Sequence, residues 1–310
     1  MSIALGLDTS NYTTSTALYD RESAQVTQQK KLLPVAKGQL GLRQSDAVFH
    51  HIQQLPDLMT ALFENAGSRP DVIGVSTRPR PVEGSYMPCF EVGRGAAQQL
   101  AAVLGVPLRT YSHQEGHIAA AMYSSGFRAQ PGERFIAYHL SGGTTEGVLV
   151  TRHDDGFSVE LLCGSLDLKA GQLIDRVAGM LGLPFPGGVH LEKLALSYDG
   201  DVRCKPTMKG AGCCLSGVEN ICQKLLAEGK SPEYVARVCI GHVCAAVTAM
   251  TEAIFDKYGE LPLLFAGGVS SNVTLREEMQ HRFGAYFAQP AFSCDNAAGI
   301  AILASGGECL

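Results

Sequence analysis

Twice in this chain a short apolar run stops at a polar turn, resumes as a second β-like run, and is followed by a third. The first instance takes Ile3 to Asp8 into the turn Asp8-Thr9-Ser10-Asn11, resumes from Thr14 to Tyr19 and adds Gln25 to Leu33. The second takes Arg134 to Leu140 into Ser141-Gly142-Gly143-Thr144-Thr145-Glu146, then Gly147 to Thr151 and Ser158 to Cys163. Each is a strand, tight turn, strand signal, and a chain that carries it twice in the same order is constrained to two similar sheets. Hydroxyl or amide side chains beside consecutive backbone N–H groups suit a phosphate oxygen or a metal-bound water. An ordinary Asx-rich hairpin turn explains either stretch taken alone.

Between the two instances the periodicity changes. Residues 46–66 carry Val48, Ile52, Leu55, Leu58, Met59 and Leu62 at helical spacing, with Pro56 expected to kink or split the helix and His50 and His51 expected on its solvated face. Val72 to Ser76 reads as a buried strand leading into the loop Thr77-Arg78-Pro79-Arg80-Pro81-Val82-Glu83-Gly84-Ser85. Phe90 to Leu104 reads as a helix, Val106 to Arg109 as a strand, and the stretch from His113 as a helix. The order β-β-β-α-β-α-β-α makes an open α/β sheet, and its restart at residue 134 predicts the duplicated actin/hexokinase/Hsp70-like (ASKHA) architecture, two lobes with a nucleotide cleft between them. The expected lobes are 1–125 and 126–295, with a closing helix over 296–310 packing back on the first.

At 310 residues and 45% apolar content the chain can bury substantial cores. No run of eighteen apolar residues occurs and the N-terminus lacks a basic start and cleavage site, so a cytoplasmic protein with no membrane partner is expected. Ten scattered cysteines without a C-x-x-C pair read as reduced thiols. A net charge of −5 with pI near 6.0 announces no nucleic-acid partner, which would have to be engaged locally or with other subunits.

His113-Gln114-Glu115-Gly116-His117 places two imidazoles at i and i+4, on one helical face, where both can bind one ion. A zinc protease would place its general base directly after the first histidine. Gln114 stands there instead, and Glu115 projects roughly 200° away around the helix. A chance pair on a polar face remains the alternative.

In order along the chain, five stretches resemble the TsaD family, which transfers a threonylcarbamoyl group from its adenylate to an adenosine of tRNA. Older usage called its members O-sialoglycoprotein endopeptidases, or glycoproteases. His113 to His117 matches the family's H-x-E-G-H, and Leu140-Ser141-Gly142-Gly143 its S-G-G-H-T hairpin. Gly164 to Gly188 is similar to its adenylate-binding segment, Leu264 to Asn272 to its A-G-G-V-x-x-N loop, and Ser293 to Ala301 to its closing T-D-N-x-A helix. The resemblance implies one divalent metal on His113, His117 and Asp295, with Fe2+ favoured over Zn2+ or Mn2+. It implies ATP or threonylcarbamoyl-adenylate held by Ser141, Gly142, Gly143, Thr144, Asp175, Gly187, Gly188, Gly267, Gly268 and Asn272. Asp175, expected in a helix from Leu168 to Leu183, would bond the ribose. It also implies tRNA as acceptor and partner proteins of the threonylcarbamoyl-adenosine machinery.

Departures fall on the acceptor side. Where the family has E-T-S-C-D-E-T this chain has Asp8-Thr9-Ser10-Asn11-Tyr12-Thr13-Thr14, so both acidic positions are lost and catalytic candidates are confined to the vicinity of Asp8, Asn11 and Thr13. The histidine of S-G-G-H-T is Thr144, the lysine of S-G-L-K is Glu219, and the G-P-G-L loop has become Arg78-Pro79-Arg80-Pro81. Three readings follow: transfer to tRNA adenosine, a paralogue that binds ATP or adenylate but serves another acceptor, and a nucleotide-binding scaffold. A metalloprotease is the least supported.

Overall fold

A computed structural model describes residues 2–10, 12–34, 42–64 and 69–310; Asn11 lies outside them. The chain divides into two compact units, one comprising 1–133, 151–158 and 291–310, the other 134–150 and 159–290.

The first unit follows the anticipated order: β1 (Ile3–Ser10), β2 (Thr13–Asp20), β3 (Gln25–Leu32), α1 (Gln44–Phe63), β4 (Val72–Arg78), α2 (Phe90–Leu104), β5 (Leu108–Ser112) and α3 (His113–Ser125). The last strand begins two residues later than its apolar pattern suggested. Its sheet runs β3-β2-β1-β4-β5, with β1, β4 and β5 parallel. Alternation along β1 sends Leu5 and Leu7 into a core with Leu55, Leu62, Ile73, Val75, Ala97 and Ala101, so α1 and α2 cover that face. Ala4, Gly6 and Asp8 point the other way. Gly6 pairs with Gly74 on β4, and a Cβ at either would sit 2.5–2.8 Å from backbone or side-chain atoms of the C-terminal helix. The paired glycines thus cut a groove in which that helix lies directly on the sheet.

Two expectations about α1 are corrected. The helix runs through Pro56 without a break, held by its buried face of Ala47, His51, Gln54, Leu55 and Leu62. His51 is fully buried, because Thr14 Oγ1 lies 2.8 Å from its Nδ1 and donates to Gln54 Oε1 at 3.0 Å, giving the imidazole a polar partner inside. Burial pushes the His51 pKa down to about 4. A folded value below the unfolded value of about 6.5 means stability is fully present above pH 6.5 and is lost as pH falls toward 4. Between pH 7 and 4.5 that loss is about 2.5 kcal/mol. Urea unfolding at the two pH values checks it: His51→Gln is expected to lose about that much less than the parent chain, and equal losses would refute the assignment.

The second unit is built on a sheet of order β12-β11-β6-β7-β8, from β6 (Arg134–Leu140), β7 (Thr145–His153), β8 (Gly156–Gly164), β11 (Leu263–Ala266) and β12 (Tyr286–Phe287). Between β8 and β11 come α4 (Ala170–Met180), α5 (Gly188–Leu196), the small hairpin β9 (Thr207–Lys209) and β10 (Gly212–Cys214), α6 (Ser216–Ala227) and α7 (Pro232–Tyr258). α8 (Val273–Phe283) follows a 3-10 turn, Gly268–Ser271, and α9 (Pro290–Ser293) leads to α10 (Ala298–Ala304), the helix seated on the first unit's glycine groove. By length and composition α7 could cross a membrane, but 67% of its most apolar window is buried inside the protein, as in a core helix.

Candidate functional site

Three donor atoms converge in the first unit. Ser112 caps α3 by accepting from Glu115 N, while the Glu115 carboxylate accepts from Ser112 N at 2.7 Å, a capping box. The glutamate between the histidines therefore serves the helix end and faces away from them. One turn apart, His113 Nε2 and His117 Nε2 lie 2.9 Å from each other. Asp295 comes to them because α10 crosses α3 at a glycine pair: a Cβ on Gly299 would lie 1.9 Å from Gly116 O. Asp295 itself precedes α10 in the link after α9 rather than opening the helix.

Asp295 Oδ1 is 3.2 Å from His117 Nε2 and 3.5 Å from His113 Nε2, and the three donor atoms all fit within 4.8 Å. These separations suit donors about 2.1 Å from one shared centre, the length of a metal bond to imidazole or carboxylate. Two outer partners fix the set. Asp8 Oδ2 lies 2.6 Å from His113 Nδ1, and Thr13 Oγ1 donates to Asp295 Oδ2 at 3.2 Å. Asp8 in turn accepts from Ser10 N at 2.8 Å. A carboxylate behind the remote nitrogen of a ligating histidine sets its tautomer and raises its basicity.

The two carboxylates favour positive charge between them. Burial opposes charge on His113, yet Asp8 and Asp295 outweigh it and raise the pKa to about 10. Burial likewise opposes charge on Asp295, and the hydrogen bonds and charges of His113 and His117 hold its carboxyl well below the usual carboxylate range. A divalent ion would take the place of the shared proton and satisfy the same carboxylates. The donor set of two imidazoles and a carboxylate fits such an ion.

The second unit gathers the other expected residues around α4. The turn Ser141 to Thr144 closes by Ser141 N donating to Thr144 O at 2.7 Å, and Gly171 N at the start of α4 donates to Ser141 O at 3.2 Å. Asp175 accepts from Gly187 N at 2.8 Å, so its carboxylate pins the Pro-Gly-Gly turn. Asn272 caps α8 by accepting from Leu275 N at 3.1 Å. The six glycines divide in two. At Gly187 and Gly267 a Cβ would come within 2.3 Å of Ala178 Cβ and Leu140 O, so packing of the chain on itself requires them. At Gly142, Gly143, Gly188 and Gly268 a Cβ would meet nothing within 4 Å, so packing does not require glycine there and the backbone is open on that side. His190 is exposed on α5, and Cys213 is buried while its neighbour Cys214 is half-exposed.

The family model for tRNA N6-adenosine threonylcarbamoyltransferase, TsaD, matches residues 25–302. The chain belongs to the TsaD family. A Methanopyrus kandleri tRNA N6-adenosine threonylcarbamoyltransferase is 29% identical over 271 residues, covering 84% of this chain and 75% of the relative. A probable bifunctional tRNA threonylcarbamoyladenosine biosynthesis protein of Thermoplasma volcanium is 28% identical over 96% of this chain, which spans 55% of that longer protein. Among solved structures, T. kodakarensis HypF superposes with a TM-score of 0.61 at 15% identity over 99% of this chain and 47% of HypF. Component A of the Acidaminococcus fermentans (R)-2-hydroxyglutaryl-CoA dehydratase gives 0.55 at 14% identity, covering 98% of both chains. At these identities the likeness shows the fold, which is the actin/hexokinase-like α/β fold, and TsaD membership makes the chain a TsaD-like transferase.

Sequence reasoning did not find the partnership of Asp8 with His113 or of Thr13 with Asp295, since neither pair is near in sequence. The capping box was missed as well, although the spacing Ser112-x-x-Glu115, which joins an N-cap hydroxyl to a glutamate three residues on, is a signal for it.

Proposed function

We propose that this chain transfers a threonylcarbamoyl group from its adenylate to an adenosine of tRNA, with one divalent metal, Fe2+ by resemblance, on His113, His117 and Asp295. The observation that carries the reading is the convergence of those three donors with a carboxylate behind His113. A metal there would act as Lewis acid and template for phosphate and carbamoyl oxygens. The chain's own residues divide the remaining work. Asp8 holds the His113 ring, Thr13 orients Asp295, and the open backbone at Gly142, Gly143, Gly188 and Gly268 receives the adenylate. Asp175 holds the Gly187 turn through one carboxylate oxygen and Asn272 caps the start of α8, and the ribose contact falls to the same Asp175 carboxylate.

A second reading, a different acceptor, is favoured by one observation. The turn that carries acidic side chains in the family here carries Tyr12 and Thr13, and the Thr13 hydroxyl is engaged with Asp295. Incubation of unmodified tRNA with threonylcarbamoyl-adenylate, Fe2+ and the partner proteins of this machinery decides between them. Modified adenosine, lost in His117→Ala, is the expected product. Donor consumption indifferent to tRNA would transfer support to the second reading.

A further inference from the structure

The parallel strands β1, β4 and β5 end on one edge of the first unit's sheet, with β4 in the middle. β1 delivers Asp8 to that edge and β5 runs straight into Ser112 and His113. Between them β4 delivers Arg78-Pro79-Arg80-Pro81. Arg78 pairs with Ser112 across an irregularity in the ladder between Ser76 and Arg78, the kind of local bulge that re-aims a side chain. The loop is fastened to the helix that bears the histidines, because Gln114 N donates to Pro79 O at 3.0 Å. It is braced internally by Arg80 N donating to Ser85 Oγ at 3.0 Å. Pro79 and Pro81 fix the backbone on either side of Arg80, which lowers the ordering cost of presenting it. Arg78 is half-buried and, among the described residues, makes no ion pair. A guanidinium drawn partly out of water without an acid partner favours an oxyanion that fits its fork.

We propose that Arg78, assisted by Arg80, forms a phosphate subsite at this strand edge, beside the His113 cluster. The subsite stands on the loop's own geometry; only the source of the phosphate, donor adenylate or acceptor RNA, rests on the transfer reading. Neither arginine holds the metal.

The 310-residue chain is titrated with AMP by calorimetry and, separately, with an RNA stem-loop at several salt concentrations. Arg78→Gln is expected to weaken one of the two at least about tenfold, and Arg78→Lys, which keeps charge but not the fork, to recover part of it. An effect on AMP alone identifies the donor phosphate. An effect on RNA alone, with the salt slope reduced by about one, identifies the acceptor backbone. Unchanged binding in both arms, or a parent chain that binds neither probe, overturns the subsite. Metal content and donor turnover measured on the same preparations keep the two ideas apart. A metal-loaded, active chain indifferent to Arg78 sinks the subsite alone, whereas an inactive chain whose AMP affinity depends on Arg78 sinks the transfer reading alone.

Discussion

Gly299→Ala is expected to lower stability by about 3 kcal/mol and to pull apart the His113, His117 and Asp295 donors in the same step. The added methyl would sit 1.9 Å from Gly116 O, 2.7 Å from Gly116 C and 2.8 Å from Ala120 N. All three are backbone atoms of α3, so no rotamer change relieves the overlap and the two helices must separate. α10 has no room to retreat, because its other side lies on Gly6 and Gly74. Asp295 stands four residues before Gly299 and depends on this crossing for its approach to both histidines, so a shift of even 1 Å (about half a metal bond) opens the triad. Gly95→Ala in α2 is the control: nothing lies within 4 Å of its added methyl, and a gain of roughly 0.5–1 kcal/mol is expected from helix propensity. Urea midpoints and bound-metal content of the two variants measure this. A Gly299→Ala chain with the parent's midpoint and metal content would show that the crossing does not hold the site.

How far the sequence foretold this arrangement depends on the range of each interaction. The order of elements along the first unit was legible because alternation and turn chemistry are local. Helical spacing likewise placed His113 and His117 on one face, and the resemblance supplied Asp295. What stayed hidden was set by partners far apart in the chain. His51 looked like a solvated residue on an amphipathic helix, and only the Thr14 hydroxyl, presented from another strand, lets it be buried. Pro56 carried a local penalty that packing of the Leu55 and Leu62 face overrides. Six glycines looked alike in sequence, yet two answer to packing and four to open space, a difference that exists only once α4 and β6 are in place. Asp8 looked like a catalytic candidate, and its carboxylate turns out to be occupied with the His113 ring.

That occupation leads to a graded expectation for metal affinity, measured by chelator competition with Mn2+ or Zn2+ as probe. His117→Ala removes one of three donors and is expected to weaken binding more than about 100-fold. Asp8→Asn leaves all three donors but replaces the carboxylate behind His113 Nδ1 by an amide, which accepts a weaker hydrogen bond and no longer offsets the ion's charge. A loss of about 10- to 100-fold is expected from a partner of that kind. Thr13→Ala deletes one neutral donor to Asp295, worth about 1 kcal/mol, and is expected to cost no more than about tenfold. The order His117, Asp8, Thr13 is what a site built from the metal outward requires. If Asp8→Asn left metal affinity intact while abolishing transfer, the buried carboxylate would be acting on substrate, and the catalytic group that the altered turn leaves unassigned would be Asp8 itself.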